Sequence, residues 1–176
     1  RRSAFAGASR AALAGSGLAA SHSTELCRRA VGLLAGRRPG RQPLVLDADA
    51  LNIISSQKDL LNLIPAGSIL TPHPKEFERL FGETENEFER IQLALQNAMV
   101  FNLVIVVKGH HTLVAAPDGK AFFNSTGNAG MATAGSGDTL TGILTGLLAQ
   151  GYSSMDAAIL GVFVHGMAGD IAAKKM

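Results

Sequence analysis

Residues 134–138 read Ala-Gly-Ser-Gly-Asp and stand directly before an amphipathic run. Glycines let a backbone approach a ligand closely, and the first amides of a helix have no internal acceptors. Such a terminus, with its dipole, forms a site for a phosphate or a developing oxyanion. A carboxylate in the first turn would repel that anion. Asp138 makes chemical sense if it takes a proton from a hydroxyl that then attacks a phosphorus held by the amides of Gly135, Ser136 and Gly137. The plainer alternative is an acid that complements the helix dipole. The Gly-rich setting of residues 127–137 favours the first.

Three other segments carry polar groups of chemical interest. Lys108-Gly109 follows an apolar run, so Lys108 or the turn amides could hold nucleotide phosphates, with Thr112 adding a hydroxyl; a solvent-facing Lys ending a strand is the alternative. His110 and His111 are adjacent, and adjacent His side chains usually point apart. With no second ligand pair at zinc spacing, a zinc site is not expected. Thr71-Pro72-His73-Pro74-Lys75-Glu76 places a His in a Pro-locked loop, and two prolines cut the freedom of the unfolded chain. A capping His is the competing reading. Asp47 and Asp49 could bind magnesium, bond substrate hydroxyls or cap the next turn. No G-x-x-x-x-G-K-[ST] occurs, which excludes a P-loop enzyme, and neither G-x-S-x-G nor H-E-x-x-H is present.

The elements that must position these groups alternate in type. Ser23 offers an N-cap for a helix over residues 23–34, with Leu26, Ala30, Leu33 and Leu34 on one face. Leu44-Val45-Leu46 and residues 68–70 read as short buried strands ending in polar residues. A short helix over 75–81 stops at Gly82. Thr84 with Glu87 makes a capping box for a helix turning Phe88, Ile91, Leu95 and Ala98 inward. Residues 103–107 form the clearest strand, followed by a hairpin with its turn at Asp118-Gly119. Leu140, Ile143, Leu144, Leu147 and Leu148 mark the amphipathic helix. Ser153 with Asp156 caps a last helix, apolar nearly all round and therefore expected to be buried. The pattern predicts an α/β sandwich with a mostly parallel sheet. Ligands collect at the carboxyl ends of such strands, where Asp47 and Asp49, His73 and Glu76, Lys108 and the Gly-rich loop all fall.

The chain of 176 residues is 47% hydrophobic and 17% charged, with 20 Gly and no Trp. That excludes a disordered chain, a collagen-like repeat and a disulfide scaffold. Its net charge of +2 conceals a split. Residues 1–41 hold eight Arg against one acid, Glu25, a balance of +7; residues 42–176 hold two Arg and six Lys against thirteen acids, a balance of −5. With Phe5 as its single aromatic, the Arg-rich part lacks a stacking platform for nucleic acid, and none is expected as a partner. Cys27 is the one cysteine, which points to a reducing cytoplasm. No apolar run reaches the roughly 18–20 residues of a bilayer span, because His165 and Asp170 interrupt residues 159–173; no membrane association is expected. The Arg-rich, acid-poor start at Arg1 also resembles a transit peptide, broken by Gly and Ser.

Four blocks, in order, resemble the ADP-dependent NAD(P)H-hydrate dehydratases of the ribokinase-like superfamily. They are residues 46–52 (Leu-Asp-Ala-Asp-Ala-Leu-Asn), residues 71–77 (Thr-Pro-His-Pro-Lys-Glu-Phe), Val107-Lys108-Gly109, and residues 124–138 with Met131-Ala132-Thr133 before Ala-Gly-Ser-Gly-Asp. The last is worded like the bacterial members. The resemblance implies a three-layer α/β/α fold and repair of NADH or NADPH hydrated at C6 of the nicotinamide. ADP, or ATP, would phosphorylate the C6 hydroxyl with Mg2+ present, and phosphate would then be eliminated.

It further implies roles residue by residue. Asp138 would be the base and also touch substrate, and Gly135–Gly137 would hold the phosphoryl group. Lys108, Gly109, His110, His111, Thr112 and Gly137 would line the nucleotide. His73, Gly17, Asp49 and Asn128 would contact the hydrated dinucleotide, and Glu76 would reach magnesium through water. A homo-oligomer and an epimerase as functional or fused partner also belong to this expectation.

Gly15-Ser16-Gly17-Leu18-Ala19 departs from the family's Gly-Pro-Gly-Leu-Gly-type loop, so the resemblance covers residues 42–173 better than 1–41. The chain reads as one ribokinase-like domain truncated at both ends. Two other readings remain at this stage: a related kinase for a hydroxymethylpyrimidine, thiazole or pyridoxal-type alcohol, and a nucleotide-binding fragment without catalysis.

Overall fold

The computed structural model describes residues 42–175 and the backbone of strand β1 (Ala12–Leu13). The Ser23 helix, Cys27, Gly17 and the rest of the Arg-rich segment lie outside the described residues. After β1 the order is β2 (Val45–Leu46), α1 (Asp49–Ser56), a 3-10 turn (Lys58–Leu63), β3 (Ile69–Leu70), α2 (Pro74–Phe81), α3 (Glu87–Phe101), β4 (Val104–Val107), β5 (Leu113–Ala115), β6 (Ala121–Phe123), a 3-10 turn (Ala129–Met131), α4 (Ser136–Ala149) and α5 (Ser154–Ala173). The six strands lie in the order β1-β2-β3-β4-β5-β6. The first four run parallel and the β4–β5–β6 ribbon is antiparallel.

Alternation along each strand sorts the core into two layers. Leu46, Leu70, Ile105, Val107 and Leu113 pack with α1, α2 and α3 on one face. Val45, Ile69, Val104, Val106 and Val114 pack with α4 and α5 on the other. The result is the expected three-layer α/β/α sandwich. Its parallel strands, two to four residues long, are apolar on both faces because helices cover both.

Three local expectations need correction. The box opening α3 sits two residues later than Thr84: Asn86 Oδ1 accepts from the Glu89 amide at 2.9 Å, and Glu89 Oε2 accepts from the Glu85 amide at 2.9 Å. Asn is the stronger N-cap, and the Thr84 hydroxyl is left buried without a partner. Phe88 is 69% exposed, whereas Ile91, Leu95 and Ala98 pack inward as expected, with Ala94 beside them.

The second correction concerns α5, which is not buried all round. Ala157, Ala158, Gly161, Val162 and Gly166 face inward, while Phe163, Val164, Met167 and Ile171 are exposed. Third, this helix is long and apolar enough to cross a membrane despite His165 and Asp170. Asp170 instead bonds the loop after β6, and His165 lies within hydrogen-bond distance of Ser136 at the start of α4.

Gly166 lets α5 press on the loop after β6. A Cβ there would lie 2.7 Å from the carbonyl carbon and oxygen of Thr126, backbone atoms with little room to yield. Gly166→Ala is therefore expected to destabilise the fold by about 1–3 kcal/mol, as overpacking does. A urea midpoint within error of the parent's would contradict this packing.

Candidate active site

Register places the site. Leu46 pairs with Leu70, and Leu70 with Ile105, so the residues following three neighbouring parallel strands emerge side by side. Asp47 follows β2 directly, Thr71-Pro72-His73 follows β3, and Lys108 follows β4. Lys108 Nζ donates to Asp47 Oδ1 at 2.7 Å and stands 4.0 Å from Glu76 Oε2. Thr141 of α4 donates to Asp47 Oδ2 at 3.1 Å. Asp47 is only 2% exposed, so this ammonium and hydroxyl replace its lost water. Ala48, next in the chain, has φ 49 and ψ −118. Such a backbone costs a non-glycine residue roughly 1–3 kcal/mol and is typical of functional turns.

His73 takes the capping role. Its Nδ1 accepts from the Lys75 amide at 3.2 Å, and its own amide donates to Glu76 Oε2 at 2.8 Å. Its Nε2 lies 3.3 Å from Glu76 Oε1. The ring still lines the cleft. Glu76 is 6% exposed with both oxygens engaged by His73. Among the described residues, no group of three or more His, Cys, Asp or Glu side chains is placed to hold a metal. A magnesium ion ligated directly by several side chains therefore has no site among the described residues, and a hydrated ion would meet Glu76 only through water.

The cleft has a volume of about 660 Å³ and runs from Lys108 and Gly109 past the Gly-rich loop to α5. His110 and Thr112 line it, whereas His111 does not. The two His rings do not point apart; they meet edge to face with centroids 4.4 Å apart. Gly137 lies against the Asp47–Lys108 pair: a Cβ there would stand 3.5 Å from Asp47 Oδ2 and 3.7 Å from Lys108 Nζ.

Gly135 caps α4 with φ 85, a left-handed turn that suits glycine. The Ser136 amide is already bonded to the Thr133 carbonyl at 3.3 Å, so it is not available as an anion donor. The next amides, of Gly137 and Asp138, meet no acceptor among the described residues. Asp138 is exposed in the first turn of α4 and does not line the cleft. Asp49 is half-buried in the first turn of α1 and is likewise not part of the cleft wall.

Asn128 lines the cleft, but both ends of its side-chain amide are taken up internally. Its Nδ2 donates to Asp170 Oδ1 at 2.9 Å and its Oδ1 accepts from the Gly130 amide at 3.0 Å. Direct substrate contact by this side chain would have to break one of these bonds.

Sequence reasoning passed over two groups on α5. His165 lines the cleft, with Nε2 3.3 Å from Ser136 Oγ. Burial holds its imidazole below the ordinary value of 6.5, opposed by a hydrogen bond to Ser136, so it is uncharged at neutral pH. Asp170 Oδ2 accepts from the Gly127 amide at 2.9 Å. Hydrogen bonds from Asn128 and then Gly127 hold its carboxyl below the ordinary 3.8.

A lowered native value stabilises the folded loop at neutral pH, and the stabilisation disappears as pH falls through that value. Protection of the Gly127 amide from hydrogen exchange is therefore expected to persist down through pH 4 and to fall only below it. Loss already at pH 5–6 would contradict the Asp170 clamp.

A three-layer α/β protein with a glycine-capped helix terminus and a cationic strand end on one cleft belongs to the ribokinase-like class. A ribokinase-like superfamily protein from Enterococcus faecalis superposes with a TM-score of 0.72 at 30% identity, over 90% of this chain and 53% of its own. The chain belongs to the NAD(P)H-hydrate dehydratase family, which it matches over residues 2–176. It is 47% identical over 150 residues to the ADP-dependent (S)-NAD(P)H-hydrate dehydratase of Neisseria meningitidis serogroup B, covering 82% of this chain and 51% of that protein. The ADP/ATP-dependent NAD(P)H-hydrate dehydratase of Bacillus subtilis superposes with a TM-score of 0.61 at 35% identity, over 75% of this chain and 48% of its own. A bifunctional NAD(P)H-hydrate repair enzyme of Escherichia coli K12 is 41% identical over 138 residues, 77% of this chain and 26% of that enzyme. The chain thus spans about half the length of its dehydratase relatives and about a quarter of the bifunctional one.

Proposed function

We propose that the protein dehydrates NADH or NADPH hydrate at the expense of ADP or ATP. The observation that carries this reading is the placement of Gly137 against the Asp47–Lys108 pair, with the Gly137 and Asp138 amides lacking acceptors. It joins a phosphate-binding terminus to the cation at the end of β4. Lys108, Gly109, His110 and Thr112 line the nucleotide side of the cleft, with His111 set behind His110. Asp138 takes the proton from the C6 hydroxyl of the hydrated ring, whose oxygen then attacks the terminal phosphorus. With ADP the leaving group is AMP. Loss of a proton from C5 and rupture of the C6–O bond restore the ring double bond and release phosphate. Magnesium belongs to this reading as a companion of the nucleotide phosphates.

His73 remains the candidate substrate contact on the α2 side, whereas Asn128 and Asp49 are better assigned to loop and helix-terminus structure. The exposed apolar face of α5 supports a homo-oligomer, the bifunctional relatives support an epimerase partner, and a reducing cytoplasm suits the metabolite.

The test is to incubate hydrated NADH with the protein, Mg2+ and either ADP or ATP, and to follow near-ultraviolet absorbance. Return of NADH absorbance with a nucleotide is the expected result. A stable phosphate ester without that return would assign the fold to a small-molecule kinase. Nucleotide binding without any product would leave a binding module.

A further inference from the structure

The loop from β6 to α4 leads into the helix terminus assigned above to the phosphoryl group, yet it holds three glycines, and glycine does not fix its own conformation. Bonds between Asn124 and Thr126, and from the Asn124 amide to the Thr112 carbonyl, hold the start of the loop, and α5 packs along the stretch that follows. Thr126 Oγ1 donates to the Phe163 carbonyl at 3.0 Å, and the backbone of Gly166 lies where a Cβ would meet Thr126. Gly169 is equally close to Met131, whose Cγ would be 2.6 Å from an added Cβ. Between these approaches, Asp170 offers one oxygen to the Gly127 amide and the other to Asn128 Nδ2, each at 2.9 Å. Asn128 Oδ1 then caps the 3-10 turn through the Gly130 amide.

We infer that Asp170 is a positioning residue for the phosphoryl-transfer reaction: its two carboxylate oxygens lock Gly127 and Asn128 and thereby set the start of the loop that ends at the α4 terminus. The inference rests on the function proposed above. Asp170 does not line the cleft. It acts through Asn128, which explains why that amide has both ends occupied. A displacement of about 1 Å in a reacting geometry costs on the order of 10²-fold in rate, so the clamp shows in kcat more than in nucleotide affinity, which depends on the Lys108 side.

The exchanged pair makes the test specific. In Asp170→Asn, a side-chain NH2 faces a donor from Gly127 or Asn128. In the double variant Asn128→Asp/Asp170→Asn, donor and acceptor exchange places and all three hydrogen bonds can reform. Asp170→Asn is expected to lower kcat by about 10–100-fold with KM for ADP within about threefold, and to speed hydrogen exchange at Gly127 and Gly130. The double variant is expected to recover most of both. Should Asp170→Asn fail to fold, Asn128→Ala tests the same clamp by removing both the donor to Asp170 and the acceptor of the Gly130 amide, with the same fall in kcat and faster exchange expected. Unchanged kcat and exchange in the single variant overturn the inference, and so does a double variant no better than the single. If the parent protein has no dehydratase activity, the proposed function fails. The exchange measurement then decides the loop clamp separately: unchanged protection overturns it.

Discussion

Asp138→Asn is expected to lower kcat on hydrated NADH by about 10²–10⁴-fold, the usual worth of a general base. The side chains are nearly isosteric, so the α4 terminus and its amides are retained while the proton acceptor is lost. Lys108 pairs with Asp47 and Glu76 and not with Asp138. Asp138 is thus the exposed carboxylate at this terminus, while Asp47 and Glu76 are committed to partners. Because the substitution removes charge beside an anion site, ADP binding should hold or tighten slightly, which calorimetry would register. A variant that turns over at more than about a tenth of the parental rate would remove Asp138 from the role of base. One that loses ADP binding as well would point to a structural function.

The second large effect concerns stability. Lys108→Met leaves Asp47, 2% exposed, with a single hydroxyl donor from Thr141. Breaking a buried pair by removing one partner costs about 3–5 kcal/mol, since the remaining charge is neither hydrated nor neutralised. That is a large fraction of the stability of an ordinary domain. The urea midpoint should fall accordingly at similar slope.

Adding Asp47→Asn removes the stranded charge and should recover much of the loss, because the ion pair itself contributes little net stability over a neutral pair. Activity should not recover in the double variant, since the cation facing the phosphates is still missing. A single-variant loss under about 1 kcal/mol, or a double variant no more stable than the single, would contradict the buried pairing.

Much of the fold was legible because parallel strands buried on both faces have to be apolar, and their polar successors then fall on one edge. Leu44-Val45-Leu46 before Asp47 and residues 104–107 before Lys108 carry that signal without help from neighbours. What spacing could not show was the partner of each polar group. Asp47 and Lys108 are 61 positions apart, and only the register of β2, β3 and β4 brings them together.

Spacing did show most of the inward face of α3, since Ile91, Leu95 and Ala98 pack on the core, but not that Asn86 would cap the helix in place of Thr84 or that Phe88 would be exposed. The last helix misled for a related reason. His165 and Asp170 look like interruptions of an apolar run, but they alternate with Gly161, Gly166 and Gly169, and small residues beside polar ones mark a close approach. That signal was present in the sequence. The strained backbone at Ala48 left none, since alanine gives no hint of a positive φ.

The central claim is that the C6 hydroxyl is phosphorylated before it leaves. Hydrated NADH carrying 18O in that hydroxyl, incubated with the protein, Mg2+ and unlabelled ADP, tests it directly by mass spectrometry of the released phosphate. If the hydroxyl oxygen attacks phosphorus and the C6–O bond then breaks, each phosphate released with NADH carries the label. Unlabelled phosphate, with the 18O recovered in water, would mean that the hydroxyl departs without ever joining phosphorus, and the proposed mechanism would be wrong.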